Sequence, residues 1–190
     1  ELKATNTYYT IEGRSSNGVY AMGTKNVTLD GGSMTINGTG NNGYIDKATG
    51  TDKVKNMTFH VNGSSNNGVY ATSAGTKIAE ISGSTFNVTN NNIGLLVGDS
   101  AGQAGVDKIE NTTFNIGSTE AVTDHSGTAI YLYNSSNTKL GDGAKINGNG
   151  NDILITLRNR DHDNKITLGG TSGINSRTLL NATGDNNIGI

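Results

Sequence analysis

The densest cluster of side chains that could take part in chemistry lies near the C-terminal end of the sequence. Asp161, His162 and Asp163 are consecutive, and Arg158 and Arg160 precede them. Two carboxylates and an imidazole could act as an acid–base pair on a carbohydrate or could contribute to a metal site. Both kinds of site need groups that converge from several directions, and adjacent residues in one loop do not converge by themselves. The sequence therefore favours an exposed loop here over a catalytic or metal site.

Other candidates for catalysis are weaker. Asp124 and His125 are adjacent in a second polar stretch, and His60 lies between two apolar residues, where an exposed position is expected. The sequence has no cysteine, nucleophile elbow, phosphate-binding loop or zinc-type histidine spacing. We therefore expect a protein that is not an enzyme, with no catalytic residue, no cofactor and no metal.

A repeated pattern indicates which elements position these residues. Residues 59–70 read as an alternating strand, a turn of Gly, Asn and Ser, and a second short strand, and related stretches precede them. The spacing from Ile11 to Ile36 and from Ile36 to Val61 is 25 residues. A fixed period with fixed internal spacing predicts a solenoid.

Alignment of the repeats gives three columns of apolar residues. The first column is Leu29, Val54, Ile81, Ile109, Leu140 and Leu168. The second consists of the pairs Tyr9/Ile11, Met34/Ile36, Phe59/Val61, Phe86/Val88, Phe114/Ile116, Ala144/Ile146 and Leu180/Ala182. The third is Val19, Tyr44, Val69, Leu95, Ile130, Leu154 and Ile190. Three short strands per repeat, with no helical period, predict an all-β protein that forms a right-handed parallel β-helix.

The period lengthens after the third repeat. Measured along Val61, Val88, Ile116, Ile146 and Ala182, it becomes 27, 28, 30 and 36 residues. Because the columns persist, we expect the additional residues in loops at 98–107, 117–128, 134–139, 159–165 and 169–178. We expect one β-helix over residues 1–190, with plain coils at 1–97 and loop-decorated coils at 98–190, as a fragment of a longer protein. Binding is expected in the decorated coils, mainly through loops 117–128 and 159–165.

One column of the turns consists of asparagines. Two readings stay open: an amide ladder in which each side chain bonds the next, or residues that tolerate the left-handed turn conformation. The members are Asn41, Asn66, Asn92, Asn151 and Asn187.

Large side chains also adjoin the third column. Only one side of a strand can face the core, so two readings of this row are possible. In the favoured one, the row is covered by other residues or faces inward. In the other, it forms an exposed stripe that binds a partner. The row is Tyr20, Ile45, Tyr70, Leu96, Tyr131 and Ile155. The candidate partner-binding residues are therefore Tyr20, Tyr70, Tyr131, Tyr133, Asp124, His125, Arg158, Arg160, Asp161, His162 and Asp163.

Charge and composition limit the class of partner. The formal net charge is -2 over 190 residues, which gives no argument for binding to nucleic acid or to an anionic membrane surface. Hydrophobic residues make up only 32% of the chain, as expected for a solenoid whose core is one or two side chains thick.

Two segments of this chain, which has no cysteine and no proline, resemble those of a known family. They are Asn66-Asn67-Gly68-Val69-Tyr70 and Gly83-Ser84-Thr85-Phe86-Asn87-Val88. The sequence resembles the passenger region of bacterial autotransporters of the type V secretion route, in particular the large Asn/Gly/Thr-rich adhesins such as the fusobacterial ones. The resemblance implies a virulence-related stalk or adhesin on the outer membrane, held there by a C-terminal β-barrel outside this chain.

The implied partners are a host cell-surface glycoprotein, a glycan or another bacterium. We expect a monomer, with self-association through the stripe or the open coil ends as an alternative. Two further hypotheses remain: a polysaccharide-active β-helix enzyme that uses Arg158, Asp161 and Asp163, and a spacer that binds nothing.

Overall fold

The computed structural model describes residues 1–23, 26–119, 127–159, 162–170 and 177–190. These residues form β-strands joined by turns, and they contain no helix. The strands are β1 (Leu2–Ile11), β2 (Asn17–Gly23), β3 (Val27–Ile36), β4 (Asn42–Ala48), β5 (Asp52–Val61), β6 (Asn67–Ala71), β7 (Lys77–Ser82), β8 (Thr85–Thr89), β9 (Ile93–Val97), β10 (Gly105–Glu110), β11 (Thr113–Gly117), β12 (Thr128–Tyr133), β13 (Asn137–Leu140), β14 (Lys145–Asn149), β15 (Ile153–Arg158), β16 (Ile166–Leu168) and β17 (Leu179–Thr183).

The strands stack into three faces, and every pairing between them is parallel. The first face contains β7, β10, β13 and β16, and the second contains β8, β11, β14 and β17. The long strands β1, β3 and β5 run through both of these faces. The third face consists of β2, β4, β6, β9, β12 and β15. Each coil therefore gives one segment to each face, which confirms the predicted parallel β-helix.

The core contains a stack of aromatic rings, formed by members of the second predicted column. Phe59, Phe86 and Phe114 pair in register, with neighbouring ring centroids 4.5 Å apart and ring planes within 5° and 11° of parallel. Met34 occupies the same column one coil earlier, and all four side chains are fully buried. The first predicted column is also confirmed, because its members pair in register from Leu29 to Leu168.

The second predicted column is wrong by two residues in the coil that contains β14. Ile146, not Ala144, lies opposite Phe114, and Gly148 takes the next inward position. The prediction failed because it required a large side chain at both positions of the pair, and this coil has a glycine at one of them.

The third predicted column is wrong in the same coil, and the two errors have one physical cause. Ile155, not Leu154, lies opposite Ile130. Leu154 is buried, and its Cδ1 would lie 2.9 Å from a Cβ added to Gly148. The leucine therefore fills the space that the glycine leaves empty.

The corner between the first and second faces is built from alternating asparagine and glycine. All of these residues have positive φ angles, which glycine and asparagine adopt most readily. A Cβ added to Gly83 or Gly143 would lie 2.5 Å from Oδ1 of the asparagine in the preceding coil. Each asparagine side chain therefore needs a glycine above it. In order along the stack, the corner residues are Asn6, Gly31, Asn56, Gly83, Asn111 and Gly143.

An asparagine ladder lies inside the corner between the second and third faces, but its bonds differ from those expected. The Asn66 Oδ1 accepts the backbone N–H of Asn41 at 2.7 Å, and the Asn92 Oδ1 accepts that of Asn66 at 2.8 Å. The Asn66 Nδ2 donates to the carbonyl oxygens of Asn62 and Gly38. Each side chain thus bonds the backbone of neighbouring coils rather than the next side chain.

The expected member Asn151 does not belong to this inner ladder. Its neighbour Asp152 takes the inward position, and Asp152 Oδ1 accepts the Ser118 N–H at 2.8 Å. Asn151 itself has a φ of 54° and accepts a bond from Asn186 Nδ2 at 3.2 Å. At Asn151 the left-handed reading is therefore the correct one.

Side-chain ladders of the expected kind do exist on the outside of the coils. Asn67 Nδ2 donates to Asn42 Oδ1 at 2.8 Å, and Asn42 Nδ2 donates to Asn17 Oδ1 at 2.9 Å. A second outer ladder runs along the second face through Asn87, Asn115 and Asn147, with two bonds of 3.0 Å.

Truncation of the central aromatic ring tests the stack. We expect Phe86→Ala to lower the free energy of unfolding by about 3–5 kcal/mol, because it removes a ring packed on both faces and leaves a cavity. The outward-facing Thr85→Ala is the control, with an expected change within about 0.5 kcal/mol. Denaturant unfolding followed by circular dichroism measures both, and equal effects would contradict the internal stack.

Substitution of two adjacent asparagines, one in each ladder, tests the inner and the outer ladder independently. Asn66→Ala leaves the buried N–H of Asn41 without an acceptor, so we expect a loss of at least about 2 kcal/mol in the free energy of unfolding. Asn67→Ala removes only an outer bond and is expected to cost less than about 0.5 kcal/mol. The same unfolding measurement decides this, and a larger cost at Asn67 would show that the inner ladder is misassigned.

Candidate functional site

The residues inserted into the later coils lie in loops at all three corners between the faces. Most of the inserted residues that the structure describes lie at the corner between the third and the first face. Residues 72–76, 98–104, 134–136 and 159–165 all connect the third face to the first, and we call this set the loop edge. The expected loops at 98–107 and 134–139 are shorter than predicted, because β10 begins at Gly105 and β13 at Asn137. β11 of the second face ends at Gly117 and β12 of the third face begins at Thr128, so the chain between them connects a different pair of faces from residues 159 and 162–165.

Asp99 orders the first long loop of the loop edge. Its Oδ1 accepts the backbone N–H groups of Ala101 at 2.7 Å and Gly102 at 2.9 Å, and its Oδ2 accepts the Thr72 hydroxyl. Burial raises the pKa of Asp99, but these hydrogen bonds outweigh burial, and the pKa lies below its ordinary value. The carboxylate therefore stays ionised and keeps the loop closed on the preceding coil.

Asn134 joins two loops of the edge. Its Nδ2 donates to the Asp99 carbonyl oxygen at 3.0 Å, and its Oδ1 accepts the backbone N–H of His162 at 3.4 Å. Ser135 adds a further tie, because its N–H donates to Asn164 Oδ1 at 2.6 Å. The side chain of Asn134 is fully buried, so this link lies beneath the surface of the loop edge.

A shallow groove of about 410 Å³ lies along the loop edge. Its polar groups come from different coils, and its remaining lining residues are small: Ala74, Gly75, Ala101 and Gly102. No acidic side chain lines the groove among the described residues. The polar lining residues are Lys77, Gln103, Ser136 and His162.

The groove places one part of the sequence-predicted cluster at the surface. His162 and Asp163 are exposed, and the Asp163 carbonyl oxygen accepts a bond from Gln103 Nε2 at 3.3 Å. The cluster also includes Arg160 and Asp161, which lie outside the described residues. Within the described residues, no three acidic or histidine side chains meet as a metal site requires.

A second group of predicted residues adjoins the loop edge on the third face. The Arg158 guanidinium lies 5.5 Å from the ring centroid of Tyr133, and Arg158 Nη1 lies 3.4 Å from the Tyr131 hydroxyl. A guanidinium within about 6 Å of a ring is attracted to the negative face of the ring. Arg158 is exposed and Tyr133 is half-buried, so this pair is open to a partner.

The tyrosine row is open at one end and closed at the other. Tyr20, Ile45, Tyr70, Leu96 and Tyr131 pair in register, and the row continues at Thr156 rather than Ile155. Tyr20 is 49% exposed, whereas Tyr131 is 3% exposed.

At the open end, Tyr20 has two further neighbours. The Lys47 Nζ lies 5.9 Å from the Tyr20 ring centroid, and Met22 beside them is 67% exposed. Burial raises the pKa of Tyr70, which is half-buried two coils above Tyr20. A continuous exposed stripe is therefore not formed.

Sequence reasoning missed several residues that build the loop edge. Lys77, Gln103 and Ser136 belong to three different coils, and only the stacking brings them together. The role of Asp99 could have been predicted, because an aspartate often accepts hydrogen bonds from backbone N–H groups two or three residues later in a turn, here those of Ala101 and Gly102. The predicted residues Asp124 and His125 lie outside the described residues.

Comparisons of this chain with protein-family models, with characterised proteins and with solved structures gave no match. No described helix is long and apolar enough to cross a membrane.

The link through Asn134 makes a testable prediction. Asn134 has a φ of 58°, so Asn134→Gly removes the amide without straining the backbone. We expect hydrogen exchange in residues 98–104 and 162–165 to accelerate by roughly tenfold, because hydrogen bonds to both loops are lost. Asn151→Gly is the matched control, since Asn151 also has a positive φ but lies at another corner. Unchanged exchange at the loop edge would exclude the link.

Proposed function

We propose that this chain is a segment of a surface-displayed bacterial adhesin that binds its partner along the loop edge. The observation that carries the proposal is that loops from successive coils lie over one another and form one groove. In β-solenoids, inserted residues lie in loops on the surface, where binding sites are concentrated. The coils beneath supply a scaffold held by parallel ladders, which fixes the loops relative to one another.

The lining of the groove favours a hydroxyl-rich partner such as a glycan or a glycoprotein of a host cell or another bacterium. Lys77 and Gln103 are hydrogen-bond donors, Ser136 both donates and accepts, and His162 can do either. The small lining residues leave room for a chain to lie along the groove. The Arg158–Tyr133 pair beside the groove adds a planar aromatic and cationic surface of the kind that anchors interfaces.

The place of action follows from the resemblance to autotransporter passengers. We propose display at the extracellular side of the outer membrane, with no enzymatic activity in this segment. The loop-decorated coils at 98–190 carry most of the loop edge, and the plain coils at 1–97 act as a structural extension of the same solenoid. This division is supported by the regular spacing of the early coils, whose corner connections near residues 49–51 are only a few residues long.

Binding of the purified chain to fixed host cells, bacteria and a glycan array tests the proposal. We expect a double variant, Gln103→Ala with His162→Ala, to bind at least about tenfold more weakly, a loss of about 1.4 kcal/mol. The matched control is Thr35→Ala with His60→Ala, which removes two outward side chains paired in register on the second face. This control should bind like the native chain.

Two outcomes would contradict the proposal. Equal binding by the native chain and the loop-edge variant would place the binding site elsewhere on the molecule. Absence of binding to every surface, with the chain folded by circular dichroism, would favour the spacer hypothesis.

A further inference from the structure

One coil carries three polar side chains at positions that are apolar in the coils below and above it. Tyr44, Asp46 and Asp52 all point into the core and are 0% exposed. The residues paired with Asp46 in the neighbouring coils are Ala21 and Ala71, and those stacked with Asp52 are Val27 and Ile78. Tyr44 lies between Val19 and Val69 in the same way. Two acids therefore lie in an otherwise apolar part of the core.

The hydrogen bonds around the two acids are unequal. Asp52 Oδ2 accepts the Tyr44 hydroxyl at 2.9 Å, and Asp52 Oδ1 accepts the Val27 N–H at 2.5 Å. Asp46 Oδ1 accepts the Ala48 N–H at 2.8 Å, whereas its Oδ2 is buried and receives no hydrogen bond from the described residues. Asp52 thus has the donors that an ionised carboxylate needs, and Asp46 lacks one of them.

Among the residues that the structure describes, no buried cation compensates the two acids. The buried residues that the structure describes include no lysine, arginine or histidine. The nearest described lysines in sequence, Lys47 and Lys53, lie on the outward side of their strands and are half-buried. The charged and titratable groups that face Asp46 in the core are thus Asp52 and Tyr44. A second negative charge beside Asp52 would be unpaired in a low-dielectric core, which is strongly unfavourable.

We propose that Asp46 and Asp52 form a buried proton-binding site, in which Asp46 keeps its proton and donates it through Oδ2 to the Asp52 carboxylate. The proton supplies the donor that Oδ2 otherwise lacks, because two carboxylates cannot hydrogen-bond each other unless one is protonated. The pair then holds one negative charge and one proton between two carboxyl groups. Asp52 remains the ionised member, with Tyr44 and Val27 as its other donors.

This site makes the coil sensitive to pH. Burial and the neighbouring Asp52 together raise the pKa of Asp46 to about 8, although the hydrogen bond from the Ala48 N–H lowers it. Between the ordinary aspartate pKa near 4 and this value, the folded chain binds one proton more than the unfolded chain. Its contribution to stability is therefore complete below about pH 4 and is lost as the pH rises towards about 8.

The expected response is local before it is global. Each coil of a solenoid contacts only its neighbours, so loss of the proton first weakens β4 and β5 and their contacts with β2, β3 and β6–β8. The proposal does not depend on the adhesin function, because it concerns the core of the plain coils and not the loop edge.

Denaturant unfolding of the native chain from pH 4 to pH 9 tests the site, with Asp46→Asn as the main variant. The amide of Asp46→Asn can donate to Asp52 at any pH, so it imitates the protonated acid. Between about pH 4 and pH 8, we expect the unfolding equilibrium constant of the native chain to rise with pH more steeply than that of Asp46→Asn. The difference should be up to a factor of about ten per pH unit. The outward-facing Asp30→Asn, on the neighbouring strand β3, should retain the native slope.

A second measurement keeps the test decisive if Asp46→Asn does not fold. Infrared spectra of the folded native chain at pH 7 should contain the C=O band of a protonated carboxyl, which moves in heavy water and disappears on titration through about pH 8. Absence of that band, or equal pH slopes in the native chain and Asp46→Asn, would overturn the proposal. Stabilisation of the native chain by calcium at pH 9, missing in Asp46→Asn, would also overturn it, because a cation would then replace the proton.

Discussion

The structure depends on one constraint, which is that each coil must present its backbone donors and acceptors directly below those of the next. Parallel strands repeat at about 4.8 Å, so a side chain in one coil lies over the corresponding side chain of its neighbours. The stacked phenylalanine rings and the asparagine ladders follow from this repeat. Where a column is interrupted, a neighbouring residue compensates, as Leu154 does for Gly148.

The same constraint explains how much of the fold could be predicted from the sequence. A column such as Leu29 to Leu168 is readable because period-2 alternation and a fixed repeat act together. The compensation of Gly148 by Leu154 could not be predicted. A pattern of apolar positions treats each position separately, and it does not show that two side chains from different positions fill the same space in the core. The bonds of the inner asparagine ladder also escaped prediction, because residue type does not distinguish a side-chain acceptor from a backbone acceptor.

The candidate site was predictable only in part, and for a related reason. His162 and Asp163 were found because they are adjacent to other charged residues in the sequence. Lys77 and Gln103 were not, because they approach His162 only through the stacking of loops from different coils. Asp46 and Asp52 were overlooked, because one polar residue in a column of otherwise apolar residues is easily taken for an exposed position that accepts any residue type. In the structure both acids are fully buried between apolar side chains.

The alternating corner of Asn6, Gly31, Asn56, Gly83, Asn111 and Gly143 bears on how such a chain can grow. Removal or insertion of one coil would bring two asparagines, or two glycines, into direct succession at this corner. Two coils together leave the alternation intact. The unit of duplication that this architecture accepts is therefore a pair of coils of about 50 residues, twice the period that the sequence displays. A designer who lengthens or shortens the solenoid should likewise exchange coils in pairs.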